Sequence, residues 1–152
     1  MHDKLELLLK KLNINNDEYK YFLDGKLEKI VGNKAKTNYN FYIELNTNIP
    51  YELYIKMNDK IKDIYSEFKS VNIFLNVLNM DESKIHEYYN NYIDIYSKDS
   101  PLLISFKDSK IEYDKSLKIY VNNKAEEMKL NSIKDKLVKD FNNSGFNFDI
   151  DI

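Results

Sequence analysis

The chain has no cysteine, no tryptophan and no arginine, and only two prolines and three glycines in 152 residues. Without cysteine there is no disulfide scaffold, no thiol nucleophile and no thiolate-ligated zinc or iron–sulfur site. Without arginine, and with 23 lysines set against 25 carboxylates for a net charge of −2, the basic excess and bidentate donors of a strong nucleic-acid binder are missing. Glycine stands only at 25, 32 and 145, so no Walker loop, dinucleotide fingerprint or Gly-x-x-Gly loop exists to bring backbone close to a phosphate. No serine sits in a Gly-x-Ser-x-Gly context. No apolar run approaches the ~18 residues of a membrane helix. The opening Met1-His2-Asp3-Lys4-Leu5-Glu6 lacks the basic-then-apolar layout of a signal peptide. These absences point to a soluble, cytoplasmic protein with no membrane partner.

What is present is a foldable α+β pattern. Hydrophobic residues make up 43% and aromatics 14%, enough to exclude disorder. Leu5, Leu8, Leu9 and Leu12 recur at helical spacing. Asn15, Asn16 and Asp17 offer caps for a short turn carrying Tyr19, Phe22 and Leu23, with Gly25 placed to end it. Strands are expected over Lys26–Gly32 and Asn38–Leu45, joined by the polar turn 32–37. In the second, Tyr39, Phe41, Ile43 and Leu45 face one way and Asn40, Tyr42 and Glu44 the other. Pro50 announces a helix with the stripe Leu53, Met57, Ile61, Ile64 and Phe68. A strand then alternates Val71, Ile73, Leu75 and Val77 against Asn72, Phe74, Asn76 and Leu78.

Asn79-Met80-Asp81 reads as a boundary between two modules, 1–80 and 81–152. In the second, Asp81 caps a helix carrying Ile85, Tyr89, Tyr92 and Tyr96. Ser100-Pro101 restarts a short helix with Leu102, Leu103 and Phe106. A hairpin over roughly 110–121 and a helix from about Lys124 follow. That helix has the stripe Leu130, Ile133, Leu137 and Phe141, and Gly145 suits a left-handed C-terminal position. The end alternates Phe146, Phe148, Ile150 and Ile152 against Asn147, Asp149 and Asp151. Each module therefore reads helix, hairpin, helix, strand, a repeat of architecture in which a three-stranded sheet is covered by helices on one face.

Little of this carries chemistry. His2 and His86 are the only histidines, and no His-x-x-x-His spacing exists for zinc. Asp149 and Asp151 share a strand face, and Glu126-Glu127 opens a helix; solvation and the helix dipole account for them. No catalytic, cofactor-binding or metal residue is assigned. Tyrosine stands out instead. Tyr88, Tyr89, Tyr92 and Tyr96 cluster on one helix, and Tyr51 and Tyr54 open another. Tyrosine brings large area and a polar tip to protein contacts. These six are the candidate contact residues, above all on the 85–96 helix, whose apolar sector is too wide for one core face.

Three stretches carry a family resemblance: Phe22-Leu23-Asp24-Gly25-Lys26-Leu27-Glu28-Lys29-Ile30, Lys34-Ala35-Lys36-Thr37-Asn38-Tyr39-Asn40-Phe41 and Ile49-Pro50-Tyr51-Glu52-Leu53-Tyr54. They resemble the N-terminal region of PolC-type DNA polymerase III alpha chains of low-GC Gram-positive bacteria, with Tyr39 where the family often has Trp. The second half, from Ile85 through Leu117-Lys118-Ile119-Tyr120-Val121 to Ser144-Gly145-Phe146, resembles it too. The resemblance implies two small domains similar to the clamp-loader tau C-terminal domain and to KH type II modules. Residues 82–152 also resemble the N-terminal docking domain of the initiator DnaA. It further implies replisome contacts, tau first among them, with polymerase and exonuclease residues far downstream. An end flush with a strand suits a piece of such a longer polypeptide. Two rivals stand beside this docking reading. One is a nucleic-acid module using Lys34, Lys36, Lys56, Lys60 and Lys62, though a KH fold without its Gly-x-x-Gly loop counts against it. The other is a small enzyme built on paired carboxylates or His86.

Overall fold

In the computed structural model, which describes residues 2–152, the chain opens with helix α1 (Asp3–Lys11). Asp3 and Glu6 in its first turn and Lys10 and Lys11 in its last complement the helix dipole, while Leu5, Leu8 and Leu9 are buried. The His2 backbone N–H donates to Gly25 O at 3.2 Å, which ties the entry to α1 to the residue before β1. After a four-residue connection, Asn16–Phe22 wind as a 3₁₀ helix in which only Phe22 is buried. Gly25 ends that segment without a left-handed backbone. Its role is room: a Cβ there would lie 2.9 Å from both Leu45 Cδ2 and Leu5 Cδ2.

Strand β1 (Lys26–Gly32) pairs antiparallel with β2 (Asn38–Leu45), with a bulge between Leu27 and Lys29. Asn33 organises the turn: its Oδ1 accepts from the N–H groups of Thr37 (2.9 Å) and Asn38 (3.1 Å). Helix α2 (Tyr51–Ile64) then crosses to β3 (Ser70–Val77), which lies parallel to β2, giving the order β1-β2-β3. Phe41, Ile43, Leu45, Val71, Ile73 and Leu75 point to one face and are buried with Leu53, Met57 and Ile61 of α2. Each such side chain stabilises by about 1.5–3 kcal/mol on leaving water. Phe68 falls beyond the end of α2, so the stripe predicted across Ile64 and Phe68 is only partly helical.

From Asp81 a single 3₁₀ turn (Glu82–Lys84) leads into α3 (Ile85–Ser97); Asp81 caps that turn by accepting from Ser83 N at 3.0 Å and not α3 itself, whose N-cap residue Lys84 makes no side-chain cap hydrogen bond. Pro101–Asp108 forms a 3₁₀ helix in which Leu103 and Phe106 are buried. Pro101 sits in its first turn as expected, but the Ser100 side chain makes no cap hydrogen bond. A tight hairpin, β4 (Ile111–Asp114) and β5 (Ser116–Ile119), precedes α4 (Lys124–Asn143). At the start of α4, Asn123 Oδ1 accepts from Glu126 N and Glu126 Oε1 from Asn122 N, both at 2.9 Å. The final strand β6 (Ile150–Asp151) runs parallel to β5, giving the order β4-β5-β6. The in–out alternation of Phe146, Phe148 and Ile150 holds, although only two residues of the run pair as strand.

The architecture is α+β with two small three-stranded sheets. Residues cluster into two units: Met1–Met80 with Asn143–Gly145, and Asp81–Asn142 with Phe146–Ile152. Within each, an antiparallel hairpin is followed by a helix and a third strand parallel to the hairpin's second strand. Among the described residues no helix is long and apolar enough to cross a membrane.

Candidate functional site

The six candidate tyrosines are core residues. Tyr88 and Tyr89 are wholly buried, and Tyr51, Tyr54, Tyr92 and Tyr96 nearly so. The wide apolar sector of α3 has a simple cause: it is packed on two sides. On one, Tyr89 OH donates to Phe106 O of the 3₁₀ segment at 2.9 Å, and burial pushes its hydroxyl well above the ordinary phenol range. On the other, Tyr88 meets Phe146 edge-on at 4.8 Å and Tyr92 meets Phe141 at 5.3 Å. The Tyr92 hydroxyl donates to Asp140 O at 3.0 Å, and the Tyr96 hydroxyl to the Asp140 carboxylate. In the first unit, Tyr54 OH donates to Ile73 O at 3.2 Å. The tyrosines thus fill cores, with the hydroxyls of Tyr54, Tyr89 and Tyr92 on backbone carbonyls and that of Tyr96 on a carboxylate, and their rings do not make a surface.

The remaining polar candidates are dispersed. His86 is exposed, 6.5 Å from the Tyr89 ring, and lines a 270 Å³ cavity with Glu82, Glu112, Tyr113 and Leu117. The Glu112 carboxyl is held below its ordinary range by the Tyr120 hydroxyl, which donates to it at 2.7 Å. Asp151 accepts from Ser116 Oγ at 2.7 Å, and Asp149 accepts from the N–H of Ile150, the next residue. Among the described residues no group of three or more His, Asp or Glu converges to hold a metal ion.

The surface that the fold does present is the outer face of the first sheet, with its β1 edge. Among the described residues only β2 pairs with β1, and nearly all of β1 is exposed, including Ile30 (50%) and Val31 (43%). Lys29, Tyr42 and Phe74 lie side by side across the three strands, opposite the core. The Lys29 ammonium sits 4.9 Å over the Tyr42 ring, and Tyr42 and Phe74 are 5.3 Å apart. Flanking them are side-chain pairs: Asn72 with Asn40 at 3.4 Å, Asn76 with Glu28 at 3.2 Å and Lys26 with Glu44 at 3.6 Å. The arrangement is a half-exposed apolar centre with a polar rim, which is the anatomy of a protein contact. The alternation already put Tyr42 and Phe74 on the polar sides of their strands. An aromatic on that side, and not the density of tyrosines along a helix, was the signal for exposure.

Residues 4–75 match the family described as DNA polymerase III polC-type N-terminus I. The match covers nearly all of the first unit, from α1 to Leu75 in β3. No curated protein and no solved structure matches the chain.

Proposed function

We propose, since residues 4–75 belong to the PolC-type DNA polymerase III N-terminus I family, that the chain is a non-catalytic docking region of a replicative DNA polymerase. Its work is in the cytoplasm, and its partner is the clamp-loader tau subunit or another replisome protein. In this reading the units are cousins of KH type II and tau C-terminal modules. Nucleotidyl and exonuclease chemistry belongs elsewhere in the polymerase. The family match is the observation that carries the proposal. The open face of the first sheet supplies the place: Val31, Tyr42 and Phe74 would bury against the partner while Lys26, Lys29, Glu28 and Glu44 form the rim. Tethering through such a patch raises the local concentration of polymerase at the fork without altering its chemistry.

The test is a binding titration of purified tau and other replisome proteins against the 152-residue chain. Val31→Asp and Phe74→Ser are each expected to weaken the complex about tenfold or more, as loss of a central apolar contact does, with helical content unchanged. A chain that binds none of these proteins at tens of micromolar would refute the docking role.

A further inference from the structure

A second surface lies at the opposite edge of the first sheet, where β3 begins. Two side chains of α2 close part of this edge: Asn58 Oδ1 accepts from Ile73 N at 3.3 Å, and Tyr54 OH donates to Ile73 O at 3.2 Å. In a parallel pairing, the N–H and C=O of one residue point to the same side and alternate along the strand. Val71 therefore directs its own N–H and C=O to the same free edge as Ile73. There the edge opens on a cavity of 440 Å³ lined by Lys62, Tyr65, Ser66, Phe68, Lys69 and residues 70–72. That volume is within the ~300–1,000 Å³ usual for small-molecule sites.

The cavity adjoins an aromatic shelf. Phe68 lies 4.4 Å from Tyr39 and is stacked at 5.9 Å on Tyr65, and all three rings are half-exposed. The shelf is basic. Lys11 sits 4.7 Å over the Tyr65 ring and donates to its hydroxyl at 2.9 Å. The turn bearing Lys34 and Lys36 is held against the cavity, because the N–H groups of Lys69 (2.8 Å) and Ser70 (3.2 Å) both donate to Thr37 O. None of Lys34, Lys36, Lys62 and Lys69 has a carboxylate partner among the described residues, whereas Lys10, Lys26 and Lys56 of the same unit each do. Asp63 and Glu67 are the acidic residues of this stretch. Within 62–72 they balance Lys62 and Lys69, so the positive excess at this end comes from Lys11 on the Tyr65 ring and from Lys34 and Lys36 in the turn held by Thr37 O.

We infer that this basic aromatic end of the first unit binds single-stranded nucleic acid. Phosphates sit among Lys62, Lys69 and the hairpin lysines, and a base stacks on the Phe68–Tyr65 shelf. Positive charge that follows a backbone, beside aromatic faces that accept any base, is the chemistry of sequence-tolerant single-strand binding. An acidic peptide adding as a strand is disfavoured, because Tyr54 and Asn58 already occupy the edge at Ile73 and leave Val71 alone to pair. This surface meets the rim of the proposed docking face only at Asn72, and the residues tested here differ from those tested there, so either can fail without the other.

The experiment is fluorescence anisotropy of the full chain with a labelled oligothymidylate of about 15 nucleotides. Micromolar affinity is expected at low salt. For two to four phosphate contacts the log–log slope against salt should be about −1.4 to −2.8. Lys62→Glu with Lys69→Glu should abolish binding. Phe68→Leu, which keeps the apolar packing, should weaken the oligonucleotide severalfold and leave an abasic oligomer of equal charge unaffected. No binding at low salt with 100 μM chain would overturn the inference. So would equal affinity for polyglutamate, or variants that remain folded by circular dichroism and bind as the parent does.

Discussion

Gly145 shows how much one residue can settle. Its φ of +102° is a conformation that side-chain-bearing residues rarely adopt. A Cβ built there would lie 2.5 Å from Val77 Cγ2, and the Gly145 carbonyl accepts from the buried Asn48 Nδ2 at 3.2 Å. Gly145→Ala therefore carries a backbone penalty and a steric one at once. It is expected to cost about 2–4 kcal/mol in urea unfolding, as the sum of a strained backbone and an overpacked contact. Placing a glycine at the left-handed position after the last helix was legible in the sequence, because only position types of that kind demand it. Its contact with Val77, 68 positions earlier, was not, since nothing local records what a chain will meet. Gly25 makes the same point from the other side: it punctuates the sequence like a helix end, but Leu5 and Leu45 are what require its small size.

Elements were legible to the degree that one face of each is dry and the other wet. β2 spans Asn38–Leu45 as the alternation reads, because Phe41, Ile43 and Leu45 on its core side are buried. The reading weakened where periodicity has two explanations. The ring of tyrosines on α3 looked like an exposed contact face, because a helix packed on two sides and a helix with a sticky surface have the same broad apolar sector. The run Pro101–Asp108 became 3₁₀, eight residues being too few to repay α-helix nucleation. The α3 entrance yields a pH prediction. Asp81 accepts from Ser83 Oγ and Ser83 N and lies 3.5 Å from Lys84 Nζ. These contacts, the Ser83 hydroxyl first, lower its pKa below the usual 3.8. A carboxyl lowered on folding lends stability that is present above its unfolded pKa and disappears as pH falls through the folded one. Asp81→Ala should cost about 1 kcal/mol at neutral pH, the ordinary value of a helix cap. The gap between variant and parent should narrow below pH about 3.8. Urea midpoints measured from pH 7 down to 3 check both parts, and a gap that stays constant would rule out the charged cap.

At the scale of the whole molecule, the repeat of hairpin, helix and parallel strand says that each unit is one solution to the same burial problem. Their boundary in sequence, however, is not a clean cut. The first unit takes Asn143, the last residue of α4, together with Ser144 and Gly145. Asn48, with no exposed surface, donates to Gly145 O, and Val77 packs against Gly145 itself. A chain stopped at Met80 keeps every strand and helix of the first unit but loses that acceptor and that contact. Removing the partner of a buried amide costs about 1–3 kcal/mol, and 1.4 kcal/mol is a tenfold change in an opening equilibrium. Amide hydrogen exchange over residues 41–54 and 71–77 is therefore expected to run about tenfold faster in the 1–80 fragment than in the full chain. Gly145→Ala in the full chain should accelerate exchange in the same segments, because it disturbs the same contact from the other end. Equal protection in fragment and full chain would mean that residues 143–145 touch the first unit without stabilising it.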